Sequence, residues 1–378
     1  MIYLDNAATT PIDPEVAQGI AERWSYAFGN PSSAHAIGRT ARQMLDESRA
    51  RLAAAIGGDA KQVIFTGGGT EALVLAIFGS AGPKPARLAI SAVEHPAVRT
   101  AAETLRDRMG WQLDTVPVDG QGQVRPEVLS EHIGAETRLV AMMAANNEVG
   151  AISDISALVQ VVRRQAPRAK FVTDAVQALG KMPIDVRDLD VDLLVATAHK
   201  LHGPKGVGML WARQPQSLRP WAAAGGQEQG IRGGTQAAPL AWGFAEAVDR
   251  MLASGHEPTQ RRSEALLKRL REGLPDLRLN GPAFGPERLC HLLSLTLPGV
   301  PGQPLLNALS AKGVCVSSGS ACSSGKAFSR TLAAMGHQAE DGGVIRMAIS
   351  RFLSDEDLAT AADIFVEEAK ALQAVYGS

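Results

Sequence analysis

Residues 171–177 read Phe-Val-Thr-Asp-Ala-Val-Gln, and residues 193–200 read Leu-Leu-Val-Ala-Thr-Ala-His-Lys. In each stretch a short apolar run ends in polar residues, which is typical of a strand buried on both faces of a parallel sheet. Similar short runs alternate with helical stretches at 63–66, 88–93, 139–144 and 207–210. This alternation predicts an α/β fold, with a mostly parallel sheet covered by helices on both faces.

The chain length of 378 residues predicts two domains. The pattern becomes helical after about residue 237, and new strands such as 292–297 appear after residue 277. We therefore predict a large α/β domain at 15–255. A smaller α+β domain would combine residues 1–14 with residues 256–378.

Composition excludes several classes of function. The 38 Lys and Arg residues nearly balance the 39 Asp and Glu residues, so nothing in the charge indicates nucleic acid or an anionic membrane as a partner. The three cysteines contain no C-x-x-C pair, which fits a reducing compartment rather than a disulfide framework. The sequence shows no secretory signal and no apolar run of about 20 residues. We expect a cytoplasmic protein without a membrane segment.

Two residues at predicted strand ends carry the main chemical signal. Lys200 precedes a glycine-rich turn, where lysine is most often solvated. The functional alternative is an amine that forms an imine with a carbonyl cofactor. Asp174 ends a buried strand, where open α/β sheets place their ligands. A buried carboxylate needs a cation, and the pyridine nitrogen of pyridoxal phosphate (PLP) is one candidate, while a capping role for Asp174 is equally open.

Two further strand ends fit the same site. Glycines at 67–69 precede Thr70 at a predicted helix start, where N–H groups and the helix dipole can seat an anion. A plain tight turn is the alternative there. His95 can stack on a cofactor ring or move protons, although a lone histidine is more often structural. Because all four positions follow successive predicted strands, we predict that they form one site.

A separate stretch at 316–325 reads Val-Ser-Ser-Gly-Ser-Ala-Cys-Ser-Ser-Gly. Its small and polar side chains predict a mobile loop. We expect Cys322 in this loop to be exposed and movable, as a nucleophile that must travel requires. Cys290 and Cys315 lie beside apolar residues and are interpreted as structural.

Together these segments resemble the cysteine desulfurases of the NifS/IscS type, within the class V aminotransferase fold of PLP enzymes. The resemblance includes Tyr-Leu-Asp-Asn-Ala-Ala-Thr-Thr-Pro at 3–11, Gly-Asn-Pro-Ser-Ser at 29–33 and Asn-Asn-Glu-Val-Gly at 146–150. It also includes the Asp174 and Lys200 segments and Ser-Ser-Gly-Ser-Ala-Cys at 317–322. It implies the PLP-dependent transferase fold type I.

The resemblance implies a role for each matching position. Lys200 would carry PLP as a Schiff base, Asp174 would bind the pyridine nitrogen, and His95 would stack on the ring. The other implied cofactor contacts are Asn147 and Gln177 at the phenolate oxygen, and Gly69, Thr70, Thr197 and His199 at the phosphate.

Substrate binding is implied in the same way. Arg346 would grip the substrate carboxylate with its planar pair of donors, and Asn147 would lie beside the substrate. Arg351 is a nearby competitor for the carboxylate. Thr235 would reach the phosphate of a neighbouring subunit, which implies a homodimer.

The implied reaction converts L-cysteine to L-alanine and leaves a persulfide on Cys322. Lys200 would remove the α-proton, and His95 would handle the proton on sulfur. The sulfur would pass to an acceptor protein, which the sequence does not identify: an iron–sulfur scaffold, a SufE-like carrier and a tRNA-thiolation protein all stay open. No built-in metal is implied, although Cys322 can serve as a transient iron–sulfur ligand.

Two other classes of function remain open. An aminotransferase or a selenocysteine lyase of the same fold would also keep Lys200 and Asp174, but an aminotransferase has no use for Cys322 in a mobile loop. A non-catalytic scaffold would be expected to have lost Lys200 or Cys322, and both are present.

Overall fold

The computed structural model describes residues 1–220, 225–255, 257–318 and 328–376. Its strands, in chain order, are β1 (Ile2–Tyr3), β2 (Val63–Thr66), β3 (Arg87–Ser91), β4 (Gln112–Val116), β5 (Thr137–Ala141), β6 (Lys170–Asp174), β7 (Leu193–Thr197), β8 (Gly208–Ala212), β9 (Arg278–Leu279), β10 (Leu292–Leu297), β11 (Val314–Cys315) and β12 (Gly343–Ala348). Its α-helices are α1 (Pro14–Tyr26), α2 (Ala36–Ala54), α3 (Gly69–Ser80), α4 (Pro96–Met109), α5 (Pro126–His132), α6 (Ile155–Gln165), α7 (Val186–Leu189), α8 (Ala238–Ser254), α9 (Glu257–Gly273), α10 (Gly302–Ala311), α11 (Arg330–Ala334) and α12 (Asp355–Tyr376).

The described strands form one large sheet in the order β2-β8-β7-β6-β5-β3-β4. β8 runs antiparallel to both of its neighbours, and the remaining adjacent pairs are parallel. The predicted α/β fold with a mostly parallel sheet is therefore confirmed. β2 and β7 both oppose β8, so β2 points the same way as the parallel strands. The carboxyl ends of β2, β3, β5, β6 and β7 consequently meet at one edge.

Helices cover both faces of this sheet. One face carries a core formed with α3 and α4, and the opposite face carries a core formed with α1, α2, α6 and α8. All residues of β7 and β8 are buried as a result. Burial on both faces explains why these strands are continuous apolar runs rather than alternating patterns.

Local sequence determines where α3 and α4 begin, at the edge of the sheet where the parallel strands end. α3 begins directly after Gly68, which has φ +156° and lies against Gly208 of β8. A Cβ atom at Gly208 would lie 2.6 Å from the carbonyl carbon of Gly68, so this approach requires glycine. α4 begins at Pro96, and the His95 side chain caps it by accepting from the Ala97 N–H.

A second, antiparallel sheet has the order β12-β10-β9, and its core includes side chains of α9, α10 and α12. β1 pairs in parallel with β11 in a separate two-stranded sheet, and Asp5 forms a bridge with Ala348 at the end of β12. The first residues of the chain thus lie against its C-terminal third. The domain boundary near residue 255 stays a prediction.

Candidate active site

A cavity of about 910 Å³ opens at the edge where the parallel strands end. Ten of the residues singled out in the sequence line it together: Gly69, Thr70, His95, Asn147, Asp174, Gln177, Thr197, His199, Lys200 and Arg346. Most of them follow β2, β3, β5, β6 or β7, whereas Arg346 lies within β12. The parallel strands bring together positions that are far apart in sequence, as the alternating pattern predicts.

Lys200 is half-buried in a short 3₁₀ turn directly after β7. Its Nζ donates to the carbonyl oxygens of Ala7 and Ala8, at 2.7 and 2.6 Å. The lysine is therefore held at the cavity by the N-terminal segment and does not extend into solvent as an ordinary loop lysine would. An amine in this position can react with a carbonyl group inside the cavity.

Asp174 ends β6 and is only 5% exposed. Its Oδ1 accepts from the Val176 N–H at 2.9 Å. Burial raises the pKa of Asp174 to about 6, while the Val176 N–H and the charge of Lys200 act in the opposite direction. A bound cation facing Asp174 would relieve this cost of burial and keep the carboxylate ionised.

The start of α3 adds donors for an anion to the cavity lining. Gly69 and Thr70 are the first residues of α3, so their N–H groups lie where the positive end of the helix dipole faces the cavity. The Thr197 hydroxyl donates its proton to the Val207 oxygen at 3.0 Å and would have to turn away from this acceptor to donate to an anion. Lys205 also lines this cavity, which adds a positive charge that the sequence interpretation did not assign.

A carboxylate, Glu71, also lines the cavity. Glu71 accepts from the Gly67 N–H at 2.5 Å and from Arg232 Nε at 2.7 Å. Because the ion pair with Arg232 offsets the charge of Glu71, the repulsion that Glu71 exerts on a bound anion is reduced. The pair also ties the segment before Thr235 to the glycine-rich loop.

His95 has a defined tautomer. Its Nδ1 accepts from the Ala97 N–H at 3.1 Å, so the proton of the neutral ring lies on Nε2. Burial, together with the charges of Lys200 and Arg99, lowers the pKa of His95 to about 4. His95 is therefore neutral near pH 7, and its Nε2–H is a hydrogen-bond donor.

The neighbouring Glu94 was not assigned a role from the sequence. Its Oε1 accepts from the Ser91 hydroxyl at 2.6 Å and from the Met143 N–H at 2.8 Å. Its buried Oε2 has no hydrogen-bond partner among the described residues. Burial, with a contribution from the charge of Asp174, raises the pKa of Glu94 to about 8. Glu94 thus connects the end of β3 to the segment that follows β5, and its carboxyl group is protonated at neutral pH.

Replacing Glu94 by glutamine is expected to stabilise the protein increasingly as pH rises. Protonated Glu94 contributes stability that is present in full below its unfolded pKa of about 4.5 and is lost as pH rises through about 8. Glutamine keeps the acceptor for Ser91 and Met143 but does not ionise. We expect the difference in unfolding free energy to grow by a few kcal/mol across this window.

Thermal unfolding of both proteins over a pH series measures this difference. Asp174 titrates in both proteins, so its contribution largely cancels. Parallel melting curves at every pH would contradict a buried, neutral Glu94.

Arg346, rather than Arg351, lines the cavity. Arg346 is 2% exposed. Its guanidinium donates to the backbone carbonyl oxygen of Asn147 at 2.9 Å and to Asp5 Oδ1 at 2.8 Å. Arg351 instead pairs with Asp13 and donates to the Arg250 oxygen. Of the two arginines left open by the sequence, only Arg346 is among the described residues of this cavity.

Thr235 is exposed and is not among the described residues that line the cavity. The segment before it is anchored by the buried Glu228, which forms a two-pronged ion pair with Arg49 at 2.7 and 2.8 Å. Glu228 also accepts from the Phe65 N–H at 2.7 Å. Thr235 is thus presented at the surface by a segment that is fixed to β2.

Cys322 lies outside the described residues, in the range 319–327. The described residues on both sides of this range lie beside the cavity. Ser317 exchanges backbone hydrogen bonds with Arg346, and Ser329 donates to Glu148 at 2.6 Å. Both Arg346 and Glu148 line the cavity, so the residues that flank the range 319–327 on each side contact the cavity wall.

No helix in the described ranges is long and apolar enough to cross a membrane.

The chain is similar to known proteins over almost its whole length. The Aminotransferase class-V family model matches residues 2–360. The putative cysteine desulfurase IscS 1 of Bacillus subtilis (strain 168) is 37% identical over 380 residues, which cover 98% of this chain and 99% of that protein. A solved NifS-like protein has a TM-score of 0.90 and 30% identity, covering 98% of this chain and 100% of that chain. A structure described as SspA in complex with cysteine has a TM-score of 0.82 and 28% identity, covering 92% and 99%.

Proposed function

This chain belongs to the class-V aminotransferase family and, within it, to the cysteine desulfurases of the NifS/IscS type, and we propose that it takes sulfur from L-cysteine with PLP bound beside Lys200. The observation that carries the proposal is one cavity lined by Lys200, by the buried Asp174 and by the N-terminus of α3. The Lys200 amine matches the aldehyde of PLP, and the buried Asp174 matches its pyridine nitrogen. The N-terminus of α3 is an anion-binding site that matches the phosphate.

The donor set of the cavity fits this cofactor. Asp174 lacks a strong cationic partner in the described contacts of its carboxylate, and a protonated ring nitrogen would supply one. The positions that would hold the rest of the group are Lys200 for the aldehyde, His95 for the ring face, Asn147 and Gln177 for the phenolate oxygen, and Gly69, Thr70, Thr197 and His199 for the phosphate. Bound PLP would supply a ring that withdraws electrons from the α-carbon of an attached amino acid.

Substrate binding would use Arg346. Its guanidinium is buried and points two donors toward Asp5 and the Asn147 oxygen at the cavity wall. The substrate carboxylate would bind to this planar group, which is suited to two-pronged contact with a carboxylate. Arg346 would thereby orient the α-carbon toward Lys200.

Proton transfer would be carried out by Lys200. As a free amine, its Nζ would remove the α-proton of the substrate, and the resulting ammonium would return a proton to the product. The neutral His95 would donate a hydrogen bond from its Nε2–H to the substrate sulfur and would keep this proton. This role differs from the proton handling implied by the family resemblance, because Nδ1 of His95 already accepts from the Ala97 N–H in the α4 cap.

Sulfur transfer would use Cys322. Its thiolate would attack the sulfur of the substrate, so that an S–S bond forms while the C–S bond of the substrate breaks. The carbon keeps the electron pair and is protonated. In the balanced reaction, L-cysteine and the Cys322 thiol give L-alanine and a Cys322 persulfide.

We further propose that the protein acts as a homodimer and passes its sulfur to another protein. Thr235 lies at the surface, on a segment fixed by Glu228, where it could contact the phosphate site of a second subunit. Several relatives are named IscS, which favours an iron–sulfur scaffold or a SufE-like carrier as the acceptor. A cytoplasmic location, with Cys322 as a transient iron–sulfur ligand, completes the proposal.

Product analysis tests the proposed reaction. PLP-loaded protein incubated with L-cysteine and a thiol reductant is expected to release alanine and sulfide in equal amounts. Formation of a keto acid from L-cysteine, in step with amino-group transfer to an added keto acid, would identify an aminotransferase instead. Parallel assays with L-selenocysteine measure whether selenium release is faster than sulfur release, as a selenocysteine lyase would require.

A further inference from the structure

Arg346, which would bind the substrate carboxylate, already has a carboxylate partner. Its Nη2 donates to Asp5 Oδ1 at 2.8 Å, and its Nη1 donates to the backbone carbonyl oxygen of Asn147 at 2.9 Å. The side chain of Arg346 is 2% exposed and that of Asp5 is 21% exposed. Asp5 and Arg346 therefore form a largely buried ion pair between the start of the chain and β12.

The backbone of Asp5 is fixed independently of its side chain. Asp5 forms a bridge with Ala348 at the end of β12, two residues after Arg346. The Asp5 carbonyl oxygen accepts from the Ala8 N–H at 3.0 Å and from the Tyr3 hydroxyl at 3.1 Å. A change of the Asp5 side chain alone therefore leaves the residue in place beside Arg346.

Asp5 acts on Arg346 from outside the cavity lining. Arg346 is among the described residues that line the cavity, and Asp5 is not. A guanidinium has five N–H groups, so the contacts with Asp5 and Asn147 use only part of its donor capacity. A substrate carboxylate can therefore bind Arg346 from the cavity while Asp5 stays in place.

The charge of Asp5 weakens the attraction between Arg346 and a second carboxylate. Asp5 offsets the charge of Arg346 before any substrate binds, and two carboxylates that share one guanidinium repel each other. Burial enlarges this effect, because water screens charges less around a side chain that is 2% exposed. The same ion pair also stabilises the buried guanidinium while the site is empty of substrate.

The substrate and the product of the proposed reaction present the same group to Arg346. L-Cysteine and L-alanine both carry the α-carboxylate, and a contact made equally with both tightens both complexes without speeding the chemical step. Excess affinity at Arg346 would therefore retain L-alanine after sulfur has been transferred. Product release is the slow step in many enzymes.

We propose that Asp5 limits the affinity of Arg346 for the α-carboxylate and thereby speeds the release of L-alanine. Asp5 contacts neither substrate nor cofactor in this role. It acts through Arg346 and is a positioning residue. The inference rests on the proposed function, which supplies the substrate and the product.

Replacing Asp5 by asparagine tests this role. Asparagine keeps a side-chain oxygen that accepts from Arg346 but removes the negative charge. We expect the Kd of L-alanine, measured from the visible absorbance of bound PLP, to fall about tenfold. KM for L-cysteine should fall as well, while kcat should not rise. An unchanged or higher Kd would overturn the proposal, because a residue that only orients Arg346 does not weaken carboxylate binding.

Three controls make the result specific to the Asp5 charge. Ethylamine lacks the carboxylate, so its Kd should be the same in Asp5→Asn and in the wild type, and equally tightened binding of ethylamine would contradict a role through Arg346. Glu15→Gln removes an exposed carboxylate that pairs with Arg250 and should leave the Kd of L-alanine unchanged. Asp5→Ser is a second neutral variant that should also bind L-alanine more tightly, and it decides the question if Asp5→Asn does not fold.

Thermal unfolding of the PLP-free protein separates this inference from the proposed function. Propionate, which carries a carboxylate on a short carbon chain, is titrated into the wild type, Asp5→Asn, and Asp5→Asn combined with Arg346→Met. A ligand that binds only the folded state raises the unfolding midpoint. We expect a larger rise in Asp5→Asn than in the wild type, and loss of this difference in the double variant.

The two proposals then fail in different ways. Equal rises with propionate in the wild type and in Asp5→Asn would overturn the role of Asp5 and leave PLP uptake and alanine formation intact. If the wild-type protein takes up no PLP, the proposed function fails, whereas the propionate result still decides whether Asp5 limits carboxylate binding by Arg346.

Discussion

Replacing Cys322 by serine is expected to abolish sulfur release from L-cysteine while PLP uptake stays at the wild-type level. A hydroxyl group is a far weaker nucleophile than a thiolate, so we expect sulfide formation to fall by at least about 10³-fold. The proposed cofactor contacts do not include Cys322, so the absorbance of bound PLP should be retained. Sulfide release, alanine formation and visible absorbance measure the three quantities separately.

The Cys315 residue provides the matched control. Cys315 lies in β11, where it pairs with Tyr3 of β1. Cys315→Ser removes one thiol of the same protein and should keep sulfide release near the wild-type rate. Full turnover by Cys322→Ser would remove Cys322 from the reaction and would direct attention to another sulfur acceptor.

Replacing Lys200 by alanine is expected to eliminate covalent attachment of PLP and to reduce alanine formation by at least about 10³-fold. Both the carbonyl-binding amine and the proposed base are lost in one change, and a base alone typically contributes about 10²–10⁴-fold. After borohydride reduction, the wild-type peptide that contains Lys200 should carry the mass of PLP. The same peptide of the variant should not carry it.

Two control variants test whether the loss of PLP attachment is specific to the Lys200 amine. Lys200→Arg keeps a positive charge that can donate to the Ala7 and Ala8 oxygens, yet it offers no amine that can attach PLP. It should therefore behave as Lys200→Ala does in the mass assay. Lys170→Ala should retain wild-type attachment. Covalent PLP on a different lysine of the wild-type protein would refute the assignment of Lys200.

The contacts of Arg346 and Lys200 show how the N-terminal segment contributes to the site. Asp5 binds Arg346, and the carbonyl oxygens of Ala7 and Ala8 bind Lys200. The segment is itself held between β11 and the end of β12. Residues near the start of the chain therefore set the resting positions of both groups that would contact substrate.

The sequence by itself determined the sheet and the grouping of its strand-end residues. Short apolar runs that alternate with helical stretches predict parallel strands. Because the carboxyl ends of parallel strands lie at the same edge of a sheet, residues such as Asp174 and Lys200 must meet there. Matching motifs then identified the family. These inferences succeed because they depend on local patterns and on the geometry that all parallel sheets share.

Only the tertiary structure decided the contacts between distant segments and the charge states that follow from them. Asp5 and Arg346 are 341 positions apart, and no local pattern pairs them. The neutral Glu94 and the Nε2–H tautomer of His95 both depend on burial and on which groups become neighbours. The physical reason is that a pKa reflects the whole surroundings of a group, whereas a strand reflects mainly its own residues.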